Sequence, residues 1–228
     1  MEVVRGVHAI DAVGAKVLLL VDERLTLIDS GGPGSAGRVL GYVVGLGRRP
    51  DEVERIVLTH VHLDHAGALA ELRAATGARV CVHESEVGRL AGDDPPAPLP
   101  HPLLDRALRP VMQTRPVPVD EPLRDGDVLP GLGGIEVLHV PGHTRGSIAL
   151  YIPSRRAAIV GDALQIRSGR LAPPSRFFSE DLGQAQRSIE RLAGLDLDVL
   201  IFSHYRARRG ALGWELGELA RRMQRVPA

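Results

Sequence analysis

Four side chains able to bind a metal ion fall within six positions: His60, His62, Asp64 and His65, in the run Thr59-His60-Val61-His62-Leu63-Asp64-His65. Side chains alternate along a strand, so His60 and His62 point to one side. Asp64 and His65 follow where the chain is expected to turn into a helix. Imidazole nitrogens and a carboxylate in one patch suit zinc, and also iron or manganese. The plain alternative is a chance cluster of surface histidines, but strand ends do not ordinarily stack four potential ligands this closely.

Three more candidates obey one placement rule. His143 follows an apolar run at 135–140 through Pro141-Gly142, Asp162 follows 156–160 through Gly161, and His204 follows 199–202 through Ser203. His60 also closes an apolar run. Four separate strands thus each deliver a ligand type at the carboxyl end, where neighbouring strands of a sheet can bring them together. A single tetrahedral zinc needs three or four protein ligands. Five histidines and two aspartates suit two metals, about 3.5–4 Å apart, with one carboxylate bridging.

The elements that must carry these residues read as strands and helices in alternation. Residues 3–9, 16–21 and 25–28 are β-rich runs separated by turn residues. Ser35 is placed to cap a helix with Val39, Leu40, Val43 and Val44 on one face. A buried strand at 55–58 leads to His60, and an Ala/Leu-rich helix at 66–76 stops at Gly77. Another strand spans 79–82. The stretch 92–122 holds nine prolines around a short helix at 103–112. It reads as a lid or excursion, the alternative being an inert surface wrap. Further strands fall at 135–140, 147–152, 156–160 and 199–202. Ser179 is placed to cap a helix with Leu182, Ala185, Ile189 and Leu192 on one stripe. Leu212, Leu216, Leu219 and Met223 mark the buried stripe of a last helix. No linker divides the chain, so residues 1–228 read as a single domain.

The run His60-Val-His62-Leu-Asp64-His65, with His143, Asp162 and His204 downstream, resembles the HxHxDH motif and remaining ligand positions of the metallo-β-lactamase superfamily. Asp29, in Leu27-Ile28-Asp29-Ser30-Gly31, resembles an early supporting segment of that superfamily. The segment from Asp125-Gly126-Asp127 to Pro141-Gly142-His143-Thr144-Arg145-Gly146-Ser147 is similar to the glyoxalase II-like branch. The resemblance implies an α/β fold, an αββα sandwich of two mixed β-sheets with helices on the outer faces. It also implies a division of ligands: His60, His62 and His143 on one metal, Asp64, His65 and His204 on the other, and Asp162 between them. The implied cofactors are two divalent ions, zinc first, with iron or manganese as alternatives.

Single positions weigh the branches. The commonest β-lactamases of this superfamily carry Cys where Asp162 stands, and flavodiiron oxidases carry Glu where His62 stands. The best-known quorum-quenching lactonases have Tyr three residues after the bridging Asp, where this chain has Gln165. Glyoxalase II proper continues into a helical region, whereas 24 residues follow His204 here. Two departures stand near the site: Arg145 replaces the usual Pro after His-Thr, and Ser203-His204-Tyr205 replaces Gly-His-Gly. Either Arg145 or Tyr205 can be read as facing a substrate or as a supporting surface residue.

The expected activity is a metal-dependent hydrolase cleaving a thioester, ester or lactone through a metal-bound hydroxide. Asp64 and Asp162 are the candidate catalytic carboxylates. A mononuclear iron persulfide dioxygenase is the alternative, and a lactamase-like or phosphoester hydrolase of the same fold a second. Basic and acidic residues balance at 28 each, which gives no broad electrostatic reason to bind nucleic acid or an anionic membrane. A small-molecule substrate is therefore the expected partner. Cys81 is the sole cysteine, so no internal disulfide is possible, and a reducing, cytoplasmic setting fits. The apolar run 17–21 is too short to span a membrane. His8, His83, His101 and His139 read as packed or surface histidines, Cys81 as a buried thiol, and Arg206-Ala-Arg208-Arg209 and Asp93-Asp94 as solvated turns.

Overall fold

The first apolar run folds back on itself at Gly6, whose φ of +82° is open to glycine at little cost. What the sequence suggests as one strand is therefore a hairpin, β1 (Glu2–Val4) and β2 (Val7–Ile10). In the computed structural model, which describes residues 1–95, 106 and 113–224, the chain forms two compact units, Met1–Leu123 and Arg124–Ala228.

In the first unit β3 (Val17–Val21), β4 (Leu25–Ile28), β5 (Val53–Val57), β6 (Arg79–His83) and β7 (Glu121–Leu123) follow in simple sequence order. Strands β1 to β4 are antiparallel, as short turns dictate. Pairings from β4 to β7 are parallel, because helices carry the chain back between strands. Those helices are α1 (Ala36–Gly45), α2 (Leu63–Ala66), α3 (Leu69–Thr76) and the short α4 (Val87–Ala91). Val17, Leu19, Leu25, Leu27, Val80 and Val82 form one face, packed with Val39, Val43, Leu69 and Leu72 from the helices. The alternate residues Leu18, Leu20, Ile28 and Val57 are buried as well. Both faces of the central strands are thus covered, which explains an apolar run without polar alternation.

Two local expectations change. Ser35 does not cap α1 with its side chain; its Oγ accepts from the Val13 amide at 3.0 Å instead. The buried stripe of α1 is Ala36, Val39 and Val43, which rotates Val44 outward to 58% exposure. The helix expected over 66–76 is also broken, between Ala66 and Leu69. It stops as expected at Gly77, in the left-handed region with φ +70°.

The second unit is a six-stranded sheet, ordered β15-β14-β11-β10-β9-β8. Its strands are β8 (Val128–Leu129), β9 (Ile135–His139), β10 (Ile148–Ile152), β11 (Ala157–Ile159), β14 (Val199–Ile201) and β15 (Arg208–Arg209). A separate hairpin joins β12 (Gln165–Arg167) to β13 (Arg170–Ala172). Helices α5 (Leu182–Ala193) and α6 (Leu212–Gln224) pack Ile189, Leu192, Leu212, Leu216 and Leu219 onto Leu138, Ala149, Ala158, Val160, Leu200 and Phe202. The cap of α5 is Asp181, whose carboxylate accepts from the Gln184 amide at 2.9 Å; Ser179, the expected cap, is engaged elsewhere. The helix expected at 103–112 lies outside the described residues apart from Arg106, and so does much of the Pro-rich stretch 92–122. No helix among the described residues is long and apolar enough to cross a membrane.

Packing sets the cost of a change at Gly142. It has φ +138°, and a Cβ there would lie 2.4 Å from the Ala185 nitrogen and 2.5 Å from its Cα. Gly142→Ala should cost roughly 2–4 kcal/mol, read as a lower urea midpoint with an unchanged m-value. Cys81 is buried, and burial pushes its thiol up to about 12. The folded chain then keeps a proton that the unfolded chain releases near pH 9, so this contribution to stability is intact below pH 9 and falls as pH rises towards 12. A thiol reagent at pH 8 should label Cys81 only after unfolding, and stoichiometric labelling of the folded chain would contradict this burial.

Candidate metal centre

One buried carboxylate organises the histidines of the first unit. Asp29 ends β4 with φ +63°, a left-handed turn that Asp tolerates better than most residues. Its side chain is fully buried. Oδ1 accepts from the Thr59 amide at 2.7 Å and the Thr59 hydroxyl at 3.0 Å, and Oδ2 accepts from His65 Nδ1 at 2.8 Å.

These bonds decide where the imidazole protons sit. An ionised carboxylate only accepts, so the neutral His65 ring carries its proton on Nδ1 and turns its acceptor nitrogen, Nε2, away from Asp29. The Thr59 hydroxyl spends its single proton on Asp29. Its oxygen, 3.1 Å from His60 Nδ1, must then accept from that nitrogen. The neutral His60 ring therefore also keeps Nε2 as its acceptor nitrogen. Asp29 fixes one tautomer directly and a second through Thr59, as carboxylates behind metal-binding histidines do.

Those nitrogens converge within the unit. His60 Nε2 lies 3.1 Å from His62 Nδ1, and the His60 and His65 ring centroids are 4.1 Å apart. His65 Nε2 lies 3.6 Å from Asp64 Oδ2. His62 sits at the extended position before α2, and Asp64 and His65 occupy the turn that follows. That turn is anchored because the Ser30 amide and hydroxyl both donate to the His65 carbonyl, at 2.6 and 2.8 Å. Asp64 packs so closely on Gly14 that a Cβ there would lie 2.6 Å from the Asp64 Cβ.

The second unit assembles its three candidates by topology. Strand β10 runs antiparallel to both β9 and β11, and β14 is parallel to β11. The carboxyl ends of β9, β11 and β14 therefore share one rim, from which the chain continues to His143, Asp162 and His204. Asp162 directs Oδ2 towards His143 Nε2 at 3.7 Å and Oδ1 towards His204 Nε2 at 3.3 Å. Each oxygen of this one carboxylate thus faces a different imidazole. Behind it, His143 Nδ1 lies 3.3 Å from the Ser179 hydroxyl.

Both clusters match the donor chemistry of a borderline divalent cation, with imidazole nitrogens and carboxylate oxygens at short range. His60, His62, Asp64 and His65 come together in the first unit, and His143, Asp162 and His204 in the second. The remaining histidines do other work. His8 Nδ1 bonds Tyr42 at 3.1 Å, His139 Nε2 bonds the Arg145 carbonyl at 2.8 Å, and His83 Nδ1 accepts from the Ser85 amide; His101 lies outside the described residues. Half-buried Tyr205 packs edge-on against Phe202 at the margin of the core. Exposed Arg145 gives its backbone amide to Glu180 at 2.8 Å. Gln165 bonds the Pro173 carbonyl. Arg208 is tied to Glu215 at 2.6 Å rather than simply solvated. Thr59 and Ser179, the latter expected only as a helix cap, are the two hydroxyl groups beside these histidines. A hydroxyl directly before His60 was a usable signal, whereas nothing tied Ser179 to its partner, 36 residues away.

A family model described as the metallo-beta-lactamase superfamily matches residues 12–204. A probable metallo-hydrolase of Bacillus subtilis, YflN, is 29% identical over 99% of this chain and 94% of its own length. A hydroxyacylglutathione hydrolase of Fuscovulum blasticum is 33% identical over 71% of this chain. The alignment spans about half of that relative, 51% of its length. Among solved structures, a metallo-beta-lactamase family protein from Thermus thermophilus superposes with a TM-score of 0.73 at 25% identity, over 98% of this chain and 81% of that one. Two mixed sheets with helices are the fold these neighbours share.

Removing the Asp29 carboxylate should be costly, because it strands the buried Thr59 amide and His65 Nδ1. Asp29→Ala is expected to lose roughly 2–4 kcal/mol in denaturant unfolding. Asp29→Asn should lose less, since it keeps the left-handed turn and one acceptor oxygen. It should also change the His65 tautomer seen by nitrogen-15 NMR. An unchanged unfolding midpoint in Asp29→Ala would show that the network contributes nothing.

Proposed function

The chain belongs to the metallo-β-lactamase superfamily and is a metallo-hydrolase, and from that premise we propose that it cleaves a small thioester, ester or lactone at a dinuclear centre. The single observation that carries this reading is Asp162, whose two oxygens face two different imidazoles. The names of the relatives, metallo-hydrolase and hydroxyacylglutathione hydrolase, support hydrolysis and favour a thioester as the first substrate to try.

In this reading both clusters serve one centre. His60, His62 and His143 hold the first ion; Asp64, His65 and His204 hold the second; Asp162 joins the two. Zinc is the first choice for such a nitrogen-rich donor set, with iron and manganese as competitors. A divalent pair, when bound, supplies Lewis acidity and a water acidified towards neutrality.

The chain's own groups supply preorganisation. Asp29 and Thr59 select the Nδ1–H tautomer of the neutral His65 and His60 rings, so no tautomer change is needed before either ligates through Nε2. The Ser179 hydroxyl braces His143 from behind. Asp64 is more exposed than its neighbours, at 40% for the side chain. A carboxylate oxygen of Asp64 reachable by solvent is suited to carry a proton to the leaving group. Preorganised charge of this kind is often the largest catalytic contribution.

Element-resolved mass spectrometry of protein purified without added metal tests the count. About two zinc per chain is expected, falling to about one in Asp162→Ala, with thioester hydrolysis lowered at least about a hundredfold. Full loading with unchanged turnover in that variant would remove Asp162 from the centre. About one iron per chain would instead direct the next assay to oxygen uptake.

A further inference from the structure

The second unit contains a pocket of about 910 Å³ that the metal-centred reading does not use. That size falls within the range typical of small-molecule sites. Strands β12 and β13, the loop before α5, the start of α5 and the end of α6 contribute its walls.

Its lining has two chemistries. The apolar part includes Leu171, Leu182, Leu219 and Met223. Leu171 and Leu219 belong to the buried core, and Met223 packs against it, so this surface is firmly backed. The polar part is dominated by Arg167, Arg170, Arg176 and Arg222, with Glu180 and Asp181 as the acids. Both acids have other duties: Glu180 accepts from the Arg145 amide, and Asp181 caps α5. Arg222 donates to the Leu171 carbonyl. The side chains of Arg167, Arg170 and Arg176 make no hydrogen bond or ion pair among the described residues. Exposed guanidinium groups beside an aliphatic surface match an oxyanion attached to an aliphatic body, since the planar fork fits carboxylate and phosphate alike.

We propose that this pocket binds an amphipathic anion, an aliphatic chain ending in a carboxylate or phosphate, with the chain on the Leu171–Leu182–Leu219 surface and the head among the arginines. Ser179 lines the pocket and also touches His143. The occupant therefore lies one side chain away from a candidate metal ligand without needing the metal to bind.

Calorimetric titration of the full chain tests this directly, with decanoate and decyl phosphate as ligands. Decyltrimethylammonium, acetate and inorganic phosphate serve as controls. Saturable one-to-one binding of either amphipathic anion is expected, and which one binds more tightly identifies the head group. Affinity should fall at least about tenfold in the double variant Arg170→Gln/Arg176→Gln and weaken with added salt. Both side chains are exposed, so this variant should keep the native melting temperature. In Asp162→Ala the affinity should be unchanged, which separates this site from a carboxylate held at the metal centre. No saturable binding would overturn the proposal, as would equal binding of the cationic amphiphile, indifference to the arginine substitutions, or loss in Asp162→Ala.

Discussion

A single buried carboxylate, Asp29, has to be satisfied before the histidine cluster of the first unit can exist. It sits at the end of β4, inside the sheet's apolar surroundings, where an ionised group without partners would be far too costly to keep. Thr59 and His65 satisfy it. Both lie on the connection leaving β5, the strand paired in parallel with β4. Strand pairing, turn geometry and imidazole protonation are thereby one problem with one solution. The left-handed backbone at Asp29 aims the carboxylate, the carboxylate orders Thr59, and Thr59 orders His60.

The second unit solves its own problem differently. There the ligand types arrive from three separate strands, and sheet order brings them together. Small residues let the chain turn sharply at each rim: Gly142 before His143 and Gly161 before Asp162, both with positive φ. The loop before α5 then closes over this rim. The Glu180 amide donates to the His143 carbonyl, and the Asp181 amide to that of Gly142. The approach to α5 is thus not merely a connection; Glu180 and the cap residue Asp181 brace the turn that presents His143.

Much of this was legible in the residues. The run from His60 to His65 is informative because spacing alone puts four candidate ligands in one turn of chain. The later candidates were legible because each follows an apolar strand and a turn. The errors have local physical causes. Gly6 turned one apparent strand into a hairpin, since a positive φ costs glycine almost nothing and composition does not report it. Ser35 and Ser179 looked like helix caps, yet a serine hydroxyl is satisfied by any nearby partner, and Val13 and His143 reached them first. Val44 shares a helix with buried residues, but the exact rotation of a ten-residue helix depends on what it packs against. The arginine-rimmed pocket was invisible for the same reason, because its walls come from two separate stretches, between Arg167 and Gln186 and between Leu219 and Met223.

The two clusters also differ in when they can form. The first unit's candidate ligands are neighbours in sequence, so the unfolded or newly made chain already holds several of them within a short loop. Those of the second unit span the strands from β9 to beyond β14 and meet only after that sheet has ordered, a slow kind of closure. A metal ion present during folding thus encounters a partial, flexible chelate well before a complete one. Because binding to an unfolded chain subtracts from the stabilisation a ligand gives the native state, the order in which metal and fold arrive becomes a property of this architecture.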